Sequence, residues 1–334
     1  MTNTDESSNS RPAPLGVLKA GLDLSIVIVT WNSKNYLLEC LESLQSAVED
    51  LSAEVIVVDN ASTDGTSVAV ADRFPGVRLL EPGVNLGFSR GCNAGMKLAC
   101  GKYICLINPD VNVLPGCLPK MFEFMQSNLD IGLLGPAMLD RDGRVQRSGM
   151  RFPSIWNILL RSLAADSLFR MLRLPGTWLM SDFGFDQLRN MEVLNGWFWM
   201  ARREAVEQVG PLDEMFFIYA EDMDWCKRFW SAGWRVVFYP DAQSVHYGGG
   251  SSANDPLRFS LEQGRANLQY WRKHHGRASS VMYLAAVLLG HALRAAGWGL
   301  VSLTRLGGRE KAVFQIKRNL TCMRQIDCLW EAKR

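Results

Sequence analysis

The chain has no GxxxxGK(S/T) loop, and no GxGxxG follows any strand-like run in its 334 residues. P-loop nucleotide chemistry and Rossmann dinucleotide binding are therefore not indicated. Eight cysteines, at 40, 92, 100, 105, 117, 226, 322 and 328, form neither a CxxC pair nor a dense secreted framework, so free thiols in the cytosol are expected. The first residues lack the apolar core of a signal peptide, and no internal repeat is visible. Overall charge is also scarce, at +2 from 36 Lys/Arg and 34 Asp/Glu. That balance conceals an asymmetry. From Arg258 to Arg334 fourteen basic residues face four acidic ones, a local charge of +10, which leaves −8 on residues 1–257.

With 48% apolar residues the chain can bury a full core. Residues 1–22 are polar and without period, and are read as a flexible leader. The runs LSIVIVT (24–30), EVIVVD (54–59), VRLLE (77–81) and YICLI (103–107) are short, β-branched and apolar, as buried strands should be. Between them, 35–48, 66–74 and 91–100 read as helices. Alternating strands and helices predict a mostly parallel α/β sheet, in which ligands bind beyond the carboxyl ends of the strands. Those ends deliver Thr30-Trp31-Asn32, Asp59-Asn60 and Asn108-Pro109-Asp110 to one rim.

A carboxylate there suits two tasks. It accepts the N3–H of a uracil or thymine imide, and it holds a hard cation that offsets the charge of a diphosphate. Taken alone, Asn-Pro-Asp is also ordinary turn chemistry. Farther on, strands are expected at 197–202 and 235–240, with helices at 203–209 and 221–233. The apolar segment 154–174, with interspersed arginines, reads as a core or surface helix.

In order and near the expected spacing, VIVVDNASTDGT (55–66), NLGFSRGCNAG (85–95), NPD (108–110) and AEDMDWCKR (220–228) resemble family 2 glycosyltransferases of the GT-A fold. Within that family the resemblance is closest to bacterial rhamnosyltransferases and related O-antigen or cell-wall glycan enzymes. It implies a Rossmann-like catalytic domain over 23–256 and a nucleotide-diphosphate sugar donor. Asp59 would meet the base, with Thr30 and Asn32 beside the base and ribose. Asn85, Arg90, Asn108 and Asp110 would complete the donor site, and Gly87, Gly91 and Gly95 would allow close approach to the donor. NPD resembles the DxD motif, so Asp110 is expected to hold Mg2+ or Mn2+, with His246 as a further ligand. Asn108 stands where the first Asp is commoner, which removes one charge.

An inverting transfer needs a base for the acceptor hydroxyl. The resemblance points to Asp222, with Asp224 and Glu221 as alternatives, although acids in a first helical turn also simply complement its dipole. Trp197 and Trp199 are candidates to meet the acceptor or to pack the core. The string QYWR (269–272) does not match the QxxRW of processive synthases, which favours single-sugar addition.

Residues 257–334 read as a basic helical region. The run 281–303 is long enough to span a bilayer, but His291 and Arg294 near its middle favour a helix lying in the interface. The alternative is a packed helical cap. The expected partners are a glycan or lipid-linked acceptor and an anionic membrane surface, with no nucleic acid, at the cytoplasmic side of the cell membrane. The expected reaction moves L-rhamnose from dTDP-rhamnose in surface polysaccharide synthesis. Another UDP- or dTDP-sugar, or a catalytically silent nucleotide-sugar or glycan-binding protein, is the alternative.

Overall fold

The computed structural model describes residues 21–48, 51–163, 171, 178, 180, 183–248, 255–303 and 309–331. The expected leader lies outside them apart from Gly21 and Leu22, as does most of 164–174.

The apolar runs form β1 (Leu24–Thr30), β2 (Ala53–Asp59), β3 (Arg78–Leu80) and β4 (Tyr103–Ile107), parallel and in the order β3-β2-β1-β4. Their crossovers are α1 (Lys34–Ala47), α2 (Thr66–Arg73) and α3 (Gly87–Met96). Thr30 lies opposite Asp59 and Ile28 opposite Ile107, so three polar strand ends reach one rim, as the βα alternation requires.

The second half is mixed. It comprises β5 (Val111–Val113), α4 (Cys117–Ser127), β6 (Ile131–Leu139), β7 (Gly149–Met150), α5 (Ile155–Ser162), β8 (Arg189–Asn190), β9 (Val193–Leu194) and β10 (Phe198–Arg202). Then come α6 (Arg203–Val209), α7 (Glu221–Ser231) and β11 (Arg235–His246). β10 inserts antiparallel between β4 and β6 with Phe198 opposite Ile107, so the start of β10 joins the rim. β11 runs parallel to β6 and carries its end, His246, to the same rim beside Val111. A register shift between Tyr239 and Gln243 absorbs Pro240, which could not donate in a regular ladder.

Two cores cover the two sheet faces. One packs α1 and α4 through Leu37, Leu41, Leu44, Leu118 and Met121. The other holds Trp199, Trp225 and Phe229 with α3 and α7. Arg202, 6% exposed, is satisfied by the carbonyls of Met125, Asn128 and Ile131 at 2.6, 3.0 and 3.0 Å, tying β10 to α4 and β6.

Gly91 and Gly95 sit against β1, not against a donor position. A Cβ there would come within 2.8 Å of Val29 and 2.4 Å of Val27. Their absent side chains let α3 lie directly on the sheet. Gly87 differs, since its φ of +80° and a carbonyl 2.5 Å from any added Cβ both demand glycine.

The chain ends in α8 (Pro256–His274), α9 (Arg277–Ser302) and α10 (Arg309–Glu331), which meet α5 around Ile158, Leu268, Trp271 and Tyr283. Among the described residues α9 alone is long and apolar enough to cross a membrane, with mean hydropathy 1.5, and only 11% of its most apolar stretch is buried. Leu289, Leu293 and Leu300 are exposed at its surface, as is Leu303 just past its end.

Candidate active site

At the nucleotide end of the rim, strand β2 terminates on Asp59, which is only 1% exposed. Its Oδ1 accepts the Ser62 N–H at 3.0 Å and its Oδ2 accepts the Ser67 hydroxyl at 2.5 Å. Asn32, left-handed at φ 50°, locks onto the same turn. Its N–H donates to Ser62 Oγ at 2.9 Å and its Oδ1 accepts the Thr63 N–H at 2.8 Å. The Thr30 hydroxyl beside them is buried without a partner, a polar group left for a ligand to satisfy. Asn85 shapes the entry to α3 by accepting the Gly87 N–H at 2.9 Å. Arg90 is exposed and lies 3.5 Å from the Glu214 carboxylate, so its nearest partner is a surface acid.

Where β4 and β11 end, Asp110 and His246 meet. Asp110 Oδ2 lies 3.6 Å from His246 Nε2, and both side chains are at most 10% exposed. Gln146 fixes the imidazole. Its Nε2 donates to the carbonyls of Leu139 and His246, at 3.0 and 2.6 Å, which turns Oε1 toward His246 Nδ1 at 3.3 Å. Nδ1 then carries the proton and Nε2 presents a lone pair toward Asp110. Burial lowers the His246 pKa, against the opposing charge of Asp110, so the ring is neutral and suited to ligation. Trp197 stacks on this imidazole at 4.4 Å between ring centres, and its carbonyl accepts the Asn108 N–H at 2.9 Å. Among the described residues no cluster of three His, Cys, Asp or Glu gathers, so this pair would bind a cation only with oxygen atoms from a ligand or water.

The acidic cluster opens α7 behind a strained turn. Tyr219 and Ala220 are both left-handed, at φ 70° and 63°, a conformation that costs non-glycine residues about 1–2 kcal/mol each. Phe217 packs beside it on Gly87, and the Phe88 N–H donates to the Phe217 carbonyl at 2.7 Å. The turn separates three carboxylates with three environments. Glu221 is 6% exposed, its Oε2 has no partner, and burial followed by the charge of Asp222 raises its pKa well above the usual carboxylate range. Asp222 is half-buried and pushed up to about 6 by burial, with the Met223 N–H at 2.8 Å from Oδ1 opposing the shift.

Asp224 is fully buried and fully paired, with Lys273 Nζ at 2.6 Å, His274 Nε2 at 2.7 Å and Arg228 Nε at 2.9 Å. Burial raises its pKa, but hydrogen bonds from His274 and Lys273 and the Arg228 charge outweigh that and hold it at about 2. Its environment is that of a fastening between α7 and α8 rather than of a proton acceptor.

Trp199 corrects an expectation. It is 0% exposed in the core, with its ring 5.4 Å from that of Trp225, and offers no face to an acceptor. Trp197, two residues earlier, stays partly accessible beside His246 because it precedes the strand. Four contributors escaped the sequence reading. Gln146 orients His246 from 100 positions away, Lys273 and His274 fasten Asp224, and the Arg258 guanidinium lies 5.6 Å over Trp31 and 6.0 Å over Phe217. The one signal available was the basic cluster that begins at Arg258.

Residues 25–210 match the family described as Glycosyl transferase family 2. The N-acetylglucosaminyl-diphospho-decaprenol L-rhamnosyltransferase of Mycobacterium tuberculosis is 32% identical over 248 residues, covering 70% of this chain and 78% of that protein. The mannosyltransferase PcManGT from Pyrobaculum calidifontis, in complex with GDP-Man and Mn2+, superposes with a TM-score of 0.53 at 16% identity, over 96% of this chain and 90% of that one. GalNAc-T7 with UDP, GalNAc and Mn2+ superposes with a TM-score of 0.52 at 15% identity, over 75% and 48%. These likenesses agree with the sheet, the rim and the ordered motifs, and the chain belongs to glycosyl transferase family 2, as a glycosyltransferase of the GT-A fold.

Proposed function

We propose that the protein is an inverting transferase that moves L-rhamnose from dTDP-rhamnose to a hydroxyl of a glycan or lipid-linked acceptor in bacterial surface polysaccharide synthesis. The observation that carries this reading is the single rim on which Thr30, Asp59, Asp110 and His246 meet. The rhamnosyl assignment draws support from the mycobacterial relative, whose name gives a decaprenol-linked acceptor.

Asp59 would accept the imide N–H of the base, with Thr30, Asn32, Asn85, Asn108 and, from the surface, Arg90 around the nucleotide sugar. Asp110 and His246 fit a divalent cation, Mg2+ or Mn2+, because an anionic oxygen and an imidazole lone pair lie 3.6 Å apart at the strand ends. The ion would supply counter-charge to the diphosphate as the bond to the sugar breaks. Asp222 takes the proton of the acceptor hydroxyl as its oxygen bonds the anomeric carbon. A carboxylate near 6 is largely ionised at neutral pH and still basic enough for that step. Burial and the charge of Asp222 raise the Glu221 pKa, which disfavours a second negative charge in the site. Asp224 positions α7, and Trp197 offers the accessible part of its ring to the acceptor sugar.

The catalytic domain spans 23–256, and 257–334 holds the protein peripherally on the cytoplasmic side of the cell membrane through an anionic lipid surface. Exposed leucines on α9 and the charge of +10 support that placement. A panel of nucleotide sugars, scored by protection against thermal unfolding and then by transfer, tests the reading. dTDP-rhamnose should protect most and be consumed with a cation present. Protection without transfer or hydrolysis would favour a silent binding protein, the outcome that Asn108 in place of an acid suggests.

A further inference from the structure

Helix α8 touches the candidate site at both of its ends. Near its C-terminus Lys273 and His274 hold Asp224 of α7, at 2.6 and 2.7 Å. Ala266 and Tyr270 are buried in the same core as Trp199 and Trp225, so the middle of the helix is packed on the catalytic domain. At its N-terminus Asp255 caps the helix by accepting the Arg258 N–H at 3.1 Å, and Phe259, 8% exposed, meets the Tyr219 ring edge-on at 6.3 Å. Arg258 is therefore carried on a helix that is fixed along its length.

The Arg258 guanidinium lies over two rings, Trp31 at 5.6 Å and Phe217 at 6.0 Å. Both border the place assigned to the nucleotide. Trp31 stands between Thr30, whose buried hydroxyl has no partner, and Asn32, which is locked onto the Asp59 turn. Phe217 covers Gly87, whose carbonyl accepts from Asn60 Nδ2 at 2.9 Å, next to Asp59. Arg258 is exposed, and among the described residues it makes no ion pair.

A nucleotide-diphosphate sugar is doubly charged, and it enters a rim that already holds Asp110 and, when ionised, Asp222. A single divalent ion on Asp110 and His246 does not balance these charges, and in a partly desolvated cleft the excess is costly. Arg90 cannot be counted on for this, since it is drawn to Glu214 at 3.5 Å. An arginine lying over aromatic faces spends only the plane of its guanidinium on them. Its N–H edge still suits phosphate.

We propose that Arg258 is a donor-binding residue, whose guanidinium, held over Trp31 and Phe217, binds the diphosphate of the nucleotide sugar. The first turn of α8 then completes the donor site from outside residues 23–256. The inference rests on the nucleotide-sugar reading above and extends it to a named cation.

The test measures binding of thymidine, its monophosphate and its diphosphate to the full-length protein with Mn2+ at constant ionic strength, and uses the uridine series if wild type prefers it. Arg258→Gln removes the charge. Arg258→Lys keeps the charge without the planar fork, and Lys97→Gln removes an exposed charge at the end of α3 opposite the rim. Arg258→Gln should weaken the diphosphate about tenfold, the monophosphate about threefold and the nucleoside less than about twofold. Arg258→Lys should recover part of the diphosphate loss, and Lys97→Gln should change no ligand by more than about twofold. An unfolding midpoint for each variant checks its fold.

A loss equal for all three ligands would show that Arg258 only supports Trp31 and Phe217, and no loss for any of them would show that it meets no part of the nucleotide. Either result overturns the inference while the nucleotide-sugar reading stands. Equal losses for Arg258→Gln and Lys97→Gln overturn it as well, because diffuse charge would then account for the effect. Failure of wild type to bind either nucleotide series overturns the reading itself.

Discussion

His246 Nε2 faces Asp110 Oδ2 across 3.6 Å, with Trp197 stacked on the same imidazole at 4.4 Å. An aromatic wall, a neutral imidazole and a carboxylate thus share the end of the sheet where β4 and β11 finish. Asp110→Ala should abolish the extra thermal protection that Mn2+ gives to a bound nucleotide sugar, and His246→Ala should reduce it by about tenfold in apparent affinity. Gln146→Leu, which frees the imidazole without removing a ligand, should fall between wild type and His246→Ala. Undiminished metal-dependent protection in Asp110→Ala would remove the cation from this position.

Asp224 makes a different expectation testable by stability alone. Asp224→Asn leaves Arg228 without its acid partner and Lys273 with Asp213 alone, and should cost about 3–5 kcal/mol, read from denaturant unfolding. Because its folded pKa is lowered, the stabilisation is present above the unfolded carboxylate range and is lost as pH falls from about 4 toward 2. The acid limb of the wild-type stability curve should flatten in the variant.

Close packing of α3 on β1 sets a third. Gly95→Ala places a methyl 2.4 Å from Val27 Cγ1, on a β-branched side chain that has little freedom to move. The helix gains propensity from alanine, yet overpacking should win, with a net loss of about 1–3 kcal/mol by thermal or chemical unfolding. Gly264→Ala, with open space around it, should instead stabilise.

The parallel half of the sheet was legible because β1, β2 and β4 are unbroken β-branched runs, buried on both faces, that end on polar triplets. β6 was not read, because Gly132, Gly135 and Pro136 interrupt its apolar pattern. Those glycines belong there for packing: a Cβ on Gly132 would meet Trp234 at 2.7 Å, and one on Gly135 would meet Leu194 at 3.1 Å. β11 was read only as far as Pro240, since the register shift that carries it on to His246 is a property of pairing with β6. In the site, Asp59 and Asp110 stand out as carboxylates at strand ends. The division of labour between Asp222 and Asp224 does not, because Lys273 and His274 arrive from α8, some 50 residues later. Trp197 and Trp199 look equivalent in sequence, and only the point where β10 begins separates them.

The most direct measurement is the pH dependence of transfer by wild type and Asp222→Asn, under single turnover with the donor identified by the thermal panel. Asp222 must be ionised to accept the hydroxyl proton, and burial sets its pKa at about 6, so the wild-type rate should rise through an inflection near pH 6 and level off above it. In Asp222→Asn the rate should fall by roughly 10² to 10⁴ and the inflection should vanish, while donor protection stays unchanged. A variant that keeps both the wild-type rate and the inflection would contradict the assignment of Asp222 as the base.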